Sequence, residues 1–163
     1  MKIIALMLIL TAYVLADARE VSVFELPVDK AITKSALITK MAKRYKLDRT
    51  VLSCLYKVES NYDHTAVSTT HDYGIGQING ATAKGFKINV KRLTTDLVYS
   101  MDRSAYILSY YQWLKRKDEP ATWIMRFNVG PGPLHLRNRA VNGLKYMEKI
   151  NKCRTSEVKG EYL

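Results

Sequence analysis

The chain has 163 residues, 47% of them hydrophobic and 25% charged, with a formal charge of +11. That length and balance fit one domain with a continuous core and exclude a disordered chain. A basic chain suits a polyanion such as nucleic acid, acidic lipid or a wall bearing free carboxylates. Here Lys and Arg are spread evenly, with no basic helix and no zinc-finger or RNA-binding signature, so nucleic acid is set aside as a partner.

The N-terminus is unlike the rest. Met1-Lys2 is a short basic start, Ile3 to Leu15 is almost wholly apolar, and Ala16-Asp17-Ala18 places small residues where a signal peptidase reads. The apolar run is too short to span a bilayer comfortably. The expectation is a cleaved signal peptide over residues 1–18 and a single mature domain over 19–163, with its core at about 30–151. No later segment approaches membrane-spanning length, so no stable anchor is expected after cleavage. The protein is read as exported, periplasmic or envelope-associated. The charge stays at +11 after cleavage, since Lys2 and Asp17 leave together.

Export decides how the cysteines are read. Cys54 and Cys153 would meet an oxidising compartment, where paired cysteines tend to bridge, although two separate buried thiols stay open on spacing alone. A bridge would close a loop of ~100 residues, worth at most about 4.7 kcal/mol in the chain-entropy model. His64, His71 and His135 show no ligand spacing with the cysteines, so no metal site is expected.

Arg19 to Asp29, with Pro27, reads as irregular. From Lys30 the pattern turns helical, with Leu37, Ile38, Met41 and Tyr45 as one apolar stripe. Asp48 caps a second helix carrying Val51, Leu52, Leu55 and Val58. Residues 61 to 95 are rich in Asn, Asp, Thr, Ser and Gly and read as a polar insertion. The run His71 to Asn79 within it has hairpin content. Asp96 caps a further helix bearing Leu97, Met101, Ala105, Leu108 and Tyr111. Pro120 starts a short helix through Trp123, Ile124 and Phe127 that Gly130-Pro131-Gly132-Pro133 stops. A last helix holds Leu144, Met147 and Ile150, and a polar, mobile tail runs on from Thr155. The expected class is α+β, predominantly α, with a small polar hairpin insertion.

Glu59 is the odd residue of the second helix. It stands seven positions after Leu52 and four after Leu55, which puts its carboxylate on the apolar face. A carboxyl facing a core has its charged form disfavoured and can hold a proton near neutral pH, as a general acid must. At a helix end it can equally turn out to water, and periodicity alone does not choose.

The residues beyond Glu59 do choose. Glu59-Ser60 leads to Ala66-Val67-Ser68, then to Tyr73-Gly74-Ile75-Gly76-Gln77-Ile78-Asn79, then to Phe127-Asn128-Val129-Gly130-Pro131-Gly132, and last to Tyr146. From about Leu47 to Ile150 this order resembles the soluble lytic transglycosylase family, whose catalytic domain is lysozyme-like. The resemblance implies Glu59 as the single catalytic acid/base, Gln77 as a cleft residue, Asn128 as the third motif's asparagine and Tyr146 as the tyrosine that reaches the acid. Ser60, Ser68, Asp72, Tyr73 and Asn79 join them as substrate-binding residues. Gln77 and Asn128 can alternatively bridge loop backbone, Ser68 can cap a turn, and Tyr146 can be a core aromatic.

Two departures stand out. The family's Met before the glutamine is Gly76 here, and its Tyr before the asparagine is Phe127. The run from Asp72 to Asn79 also resembles the segment of animal-type lysozymes carrying their second carboxylate. Asp72 is therefore either a catalytic partner, which implies hydrolysis, or a turn former. The implied reaction is cleavage of the β-1,4 bond between N-acetylmuramic acid and N-acetylglucosamine, giving a 1,6-anhydro product without metal or cofactor. The expected partners are peptidoglycan strands and an envelope secretion, conjugation or pilus complex, with the protein a monomer. A hydrolytic lysozyme, or a wall-binding assembly protein without catalysis, are the alternatives.

Overall fold

The computed structural model of the chain describes residues 33–114, 122–130 and 137–158. The readings for the signal segment, Pro27, the start at Lys30, Pro120, Pro131, Gly132, Pro133 and the last residues of the tail lie outside them. All described residues belong to one compact unit, Ile32–Leu163. None of the described helices is long and apolar enough to cross a membrane.

Local signals set the element boundaries. Helix α1, Lys34–Tyr45, begins where Thr33 accepts from the Ala36 amide, and it buries Leu37, Ile38, Met41 and Ala42. Helix α2, Arg49–Ser60, starts at Asp48, whose carboxylate accepts from the Val51 amide at 2.9 Å. Its buried face runs continuously from Val51 to Tyr56. Strands β1, Asp72–Tyr73, and β2, Ile78–Asn79, pair antiparallel with Asp72 opposite Asn79 and Tyr73 opposite Ile78.

Two short helices come next, where the sequence reads as loop: α3, Gly80–Gly85, and α4, Val90–Thr95. The asparagines that look like loop content are their caps. Asn79 accepts from the Ala81 amide and Asn89 from the Arg92 amide. Helix α5, Leu97–Trp113, starts at Asp96 as expected, the carboxylate accepting from the Tyr99 amide. Helix α6, Thr122–Val129, ends at Gly130, whose φ of 76° lets the chain leave in the left-handed region. Helix α7 is Arg137–Val158.

Helix α7 corrects two expectations. Its buried residues are Tyr146 and Ile150, whereas Leu144 is 53% exposed. Gly143 sits on the buried side because Met125 of α6 lies so close that an added Cβ would meet its Cε at 2.8 Å. The helix also runs on through Thr155 to Val158, so the tail is not polar and loose from Thr155. Glu157 is docked there, accepting from the Ser53 hydroxyl of α2 at 2.6 Å.

Helices α2 and α5 form the centre. Leu52, Leu55, Tyr56, Met101 and Leu108 are almost wholly buried, and the Tyr56 hydroxyl donates to the Met101 carbonyl at 2.8 Å. Beside them Asp102 of α5 is a buried carboxylate. It takes an ion pair from Arg44 at 3.1 Å, another from Arg103, and a hydrogen bond from the Tyr45 hydroxyl. A buried charge this fully partnered is tolerable, where a lone one is not.

Cys54 and Cys153 are bridged, joining α2 to α7 across 99 residues of sequence. The bridge and the Ser53–Glu157 contact clamp the two helices that carry Glu59 and Tyr146. Replacing both cysteines with serine should therefore lower unfolding free energy by about 2–5 kcal/mol. Urea denaturation of the oxidised protein against the Cys54→Ser/Cys153→Ser variant checks this. An unchanged midpoint would remove the clamp from the account.

Candidate active site

Glu59 lies in the last turn of α2, just before Asn61 and Tyr62 take positive φ values of 53° and 64° and turn the chain away. Its carboxyl accepts a hydrogen bond from the Tyr146 hydroxyl of α7 at 2.6 Å. Tyr146 is itself only 5% exposed, so this hydroxyl approaches from the core side.

Burial pushes the Glu59 carboxyl from an ordinary 4.5 up to about 7. The Tyr146 hydrogen bond works the other way by stabilising the anion, Asp72's charge adds to the rise, and Lys149 opposes it. The end of α2 contributes in the same sense as burial, since a helix C-terminus disfavours negative charge. Among the described residues no lysine or arginine forms an ion pair with Glu59. The carboxyl therefore lies toward the core, and the water-facing alternative left open by periodicity is not the one found.

Glu59 opens on a cleft of about 360 Å³, within the range of small-ligand sites. The hairpin and its turn supply Asp72, Gln77, Ile78 and Asn79, and α3 supplies Thr82. Helix α5 supplies Ile107, and the end of α6 supplies Phe127, Asn128, Val129 and Gly130.

The hairpin is pinned at several points. The Ser60 hydroxyl donates to the Ile75 carbonyl at 2.9 Å, and the Ile75 amide donates to the Ser100 hydroxyl of α5 at 3.0 Å. Gly76 is where the hairpin comes closest to α5. A Cβ there would run into the Ser104 hydroxyl and stand 2.6 Å from the Ser104 Cβ. Position 76 therefore faces the helix, and the missing family methionine is explained by close approach rather than by an altered sugar contact.

Asp72 has the opposite environment to Glu59. Burial alone would raise its pKa, but hydrogen bonds from Thr70, Ser68 and Asn79 outweigh it and hold the carboxyl below its usual value. The distances are 2.5 Å from Thr70, 2.8 Å from Ser68 and 3.0 Å from Asn79. The cleft thus presents one carboxyl biased toward the acid form and one biased toward the anion. Such divergence is a mark of acid and base assignments.

The sequence-selected residues divide into two groups. Glu59, Asp72, Gln77, Asn79 and Asn128 line the cleft, and Asn128 is exposed. Ser60, Ser68, Tyr73 and Tyr146 stand outside the lining: Ser60 ties the hairpin to α2, Ser68 braces Asp72, Tyr73 pairs in the hairpin and Tyr146 backs the acid. Gln77 also serves the backbone, its amide donating to the Ala66 and Gly74 carbonyls. Asp63 is a turn residue, accepting from the Thr65 amide and hydroxyl. Thr82 and Ile107 escaped the sequence reading. Ile107 carries a signal in retrospect, since it is an aliphatic residue off the Met101–Ala105–Leu108 stripe. Cys54, Cys153 and Glu157 also cluster, but both sulfurs are committed to the disulfide.

With this geometry in view, the Transglycosylase SLT domain family matches residues 36–149. The match covers well over half of the chain, which belongs to that family: lysozyme-like in fold, transglycosylase in type and directed at peptidoglycan outside the cytoplasm. No curated protein and no solved structure matches it.

The displaced Glu59 equilibrium has a stability consequence. The folded protein prefers the protonated carboxyl, so the associated stabilisation is complete below about pH 4.5 and is lost as pH rises through about 7. The rise corresponds to about 3 kcal/mol. Glu59→Gln, which stays neutral, should gain stability over wild type by about that amount on going from about pH 4 to pH 8. Paired denaturation curves at the two pH values measure it, and parallel behaviour would place Glu59 in water.

Proposed function

We propose that the protein is an exported lytic transglycosylase in which Glu59 serves as acid and then as base. The observation that carries this reading is a protonated carboxyl, buried against Tyr146, opening on a polar cleft. A glycan strand lies across the cleft between the helical body and the hairpin. Neutral Glu59 protonates the β-1,4 glycosidic oxygen between N-acetylmuramic acid and N-acetylglucosamine as the bond breaks. Positive charge builds at the muramic C1 and is stabilised by the neighbouring acetamido carbonyl. Ionised Glu59 then takes the proton of the muramic C6 hydroxyl, whose oxygen closes on C1 to give the 1,6-anhydro ring. Each proton that Glu59 gives it recovers, so the enzyme ends as it began.

Export rests on the basic-apolar-small pattern of residues 1–18 and suits the Cys54–Cys153 bridge, since such bonds persist in oxidising compartments. The likeness to small wall-remodelling enzymes supports a role in opening the wall for a secretion, conjugation or pilus assembly.

A second reading is favoured by Asp72. Its triply hydrogen-bonded anion lines the same cleft as Glu59, and a second carboxylate would permit a covalent intermediate or an activated water. Mass spectrometry of digested sacculi separates the two, because hydrolysis adds water and leaves a reducing end. Anhydro ends that persist in Asp72→Asn are expected. Reducing ends only, with activity lost in Asp72→Asn, would establish the lysozyme reaction instead. Full wall clearing by Glu59→Gln would reject both and leave a binding protein.

The Tyr146 hydrogen bond lowers the Glu59 pKa, so Tyr146→Phe should raise it further. The alkaline limb of the activity profile, near pH 7 in wild type, should then move upward while the maximal rate falls. A downward move would show that Tyr146 acts in some other way.

A further inference from the structure

Helix α5 carries a second surface that the cleft does not use. Tyr99, Tyr106, Tyr110 and Trp113 recur at steps of seven, four and three residues, which places them along one side of the helix. That side adjoins the one bearing Ser100, Ser104 and Ile107, which packs on the hairpin and lines the cleft. Phe86, at the end of α3, joins the row. Its ring stands edge-on to Tyr106 at 5.8 Å and to Tyr110 at 5.1 Å, and Tyr110 is 6.5 Å from Trp113. Trp113 is 78% exposed, far more than a large aromatic needs to be.

The row is continuous with the cleft. Thr82 and Ile107 line the cleft, and one helical turn on from them stand Phe86 and Tyr110. The neighbouring cations are already committed. Arg92 pairs with Asp96 at 2.8 Å and lies over Tyr99, while Arg44 and Arg103 pair with Asp102. The surface therefore offers ring faces and phenolic hydroxyls with its charge balanced. A polyanion gains little there. A sugar ring suits it, with an apolar C–H face to stack and hydroxyls at its rim to bond.

We propose that Phe86, Tyr110 and Trp113 form an extension of the glycan site, on which sugars beyond the cleft stack with Trp113 as the outermost contact. The proposal rests on the cleft being the glycan site. It makes affinity depend on strand length, because a short oligosaccharide fills the cleft alone and a longer one reaches the aromatic row.

The test uses the full chain as Glu59→Gln, which prevents turnover, with N-acetylglucosamine oligomers of four and eight sugars as probes. Calorimetry reads affinity. Tryptophan fluorescence reads position, because Trp123, the chain's other tryptophan, is buried. The longer oligomer is expected to bind more tightly and to shift the exposed tryptophan's emission. Adding Trp113→Ala should leave four-sugar binding unchanged and weaken eight-sugar binding about three- to tenfold, with Trp113→Phe restoring most of the difference. Equal affinity for both lengths, or a length preference that survives Trp113→Ala, would overturn the platform and leave the row to a protein partner. If neither oligomer binds the parent, the cleft reading itself falls and takes the platform with it. Four-sugar binding without length dependence removes the platform alone.

Discussion

Everything at the site depends on one carboxyl holding its proton. Glu59 achieves this because α2 delivers it at a C-terminal turn, against the core, with a tyrosine hydroxyl as its hydrogen-bonding neighbour. Burial and the helix end favour the neutral form, and the Tyr146 bond favours the anion. A group balanced near neutrality can give a proton and accept one back with little bias either way. Either influence acting alone would fix the carboxyl in one state.

The second carboxyl is positioned by different physics. Asp72 sits on a two-residue strand, too short to be stable by itself. It gains rigidity from the hydroxyls of Ser100 and Ser60, which anchor Ile75, and from the glycine that allows contact with Ser104. The small side chains on α5 thus set how close the hairpin can come to the helical body, and with it the width of the groove.

Much of this was legible in the sequence because the signals were local. The caps at Asp48 and Asp96, the stripe on α1 and the hairpin between Asp72 and Asn79 all depend on neighbours within a few residues. So does the inward face of Glu59, once the motif order had settled the direction. The misses share the opposite property. Helices α3 and α4 are each six residues long, below what periodicity can reveal, and their caps look like loop residues. The buried face of α7 is chosen by Gly143 meeting Met125, a contact between separate helices that no repeat within α7 announces. Ser60 and Ser68 were selected as sugar contacts, yet their hydroxyls are occupied by Ile75 and Asp72. Motif position shows which residues matter without showing which of them touch the ligand.

Tyr146 lies 87 residues after its partner, on the last helix, and the bridge that fastens this helix to α2 is formed by Cys153. A ribosome has therefore released almost the entire domain before the hydroxyl and the sulfur can find their counterparts. Until then position 59 is a solvated glutamate, ionised at neutral pH like any other on an unfolded chain. A chain capable of cutting the cell's own wall thus acquires its proton donor only on completing its fold, and in full strength only where thiols oxidise.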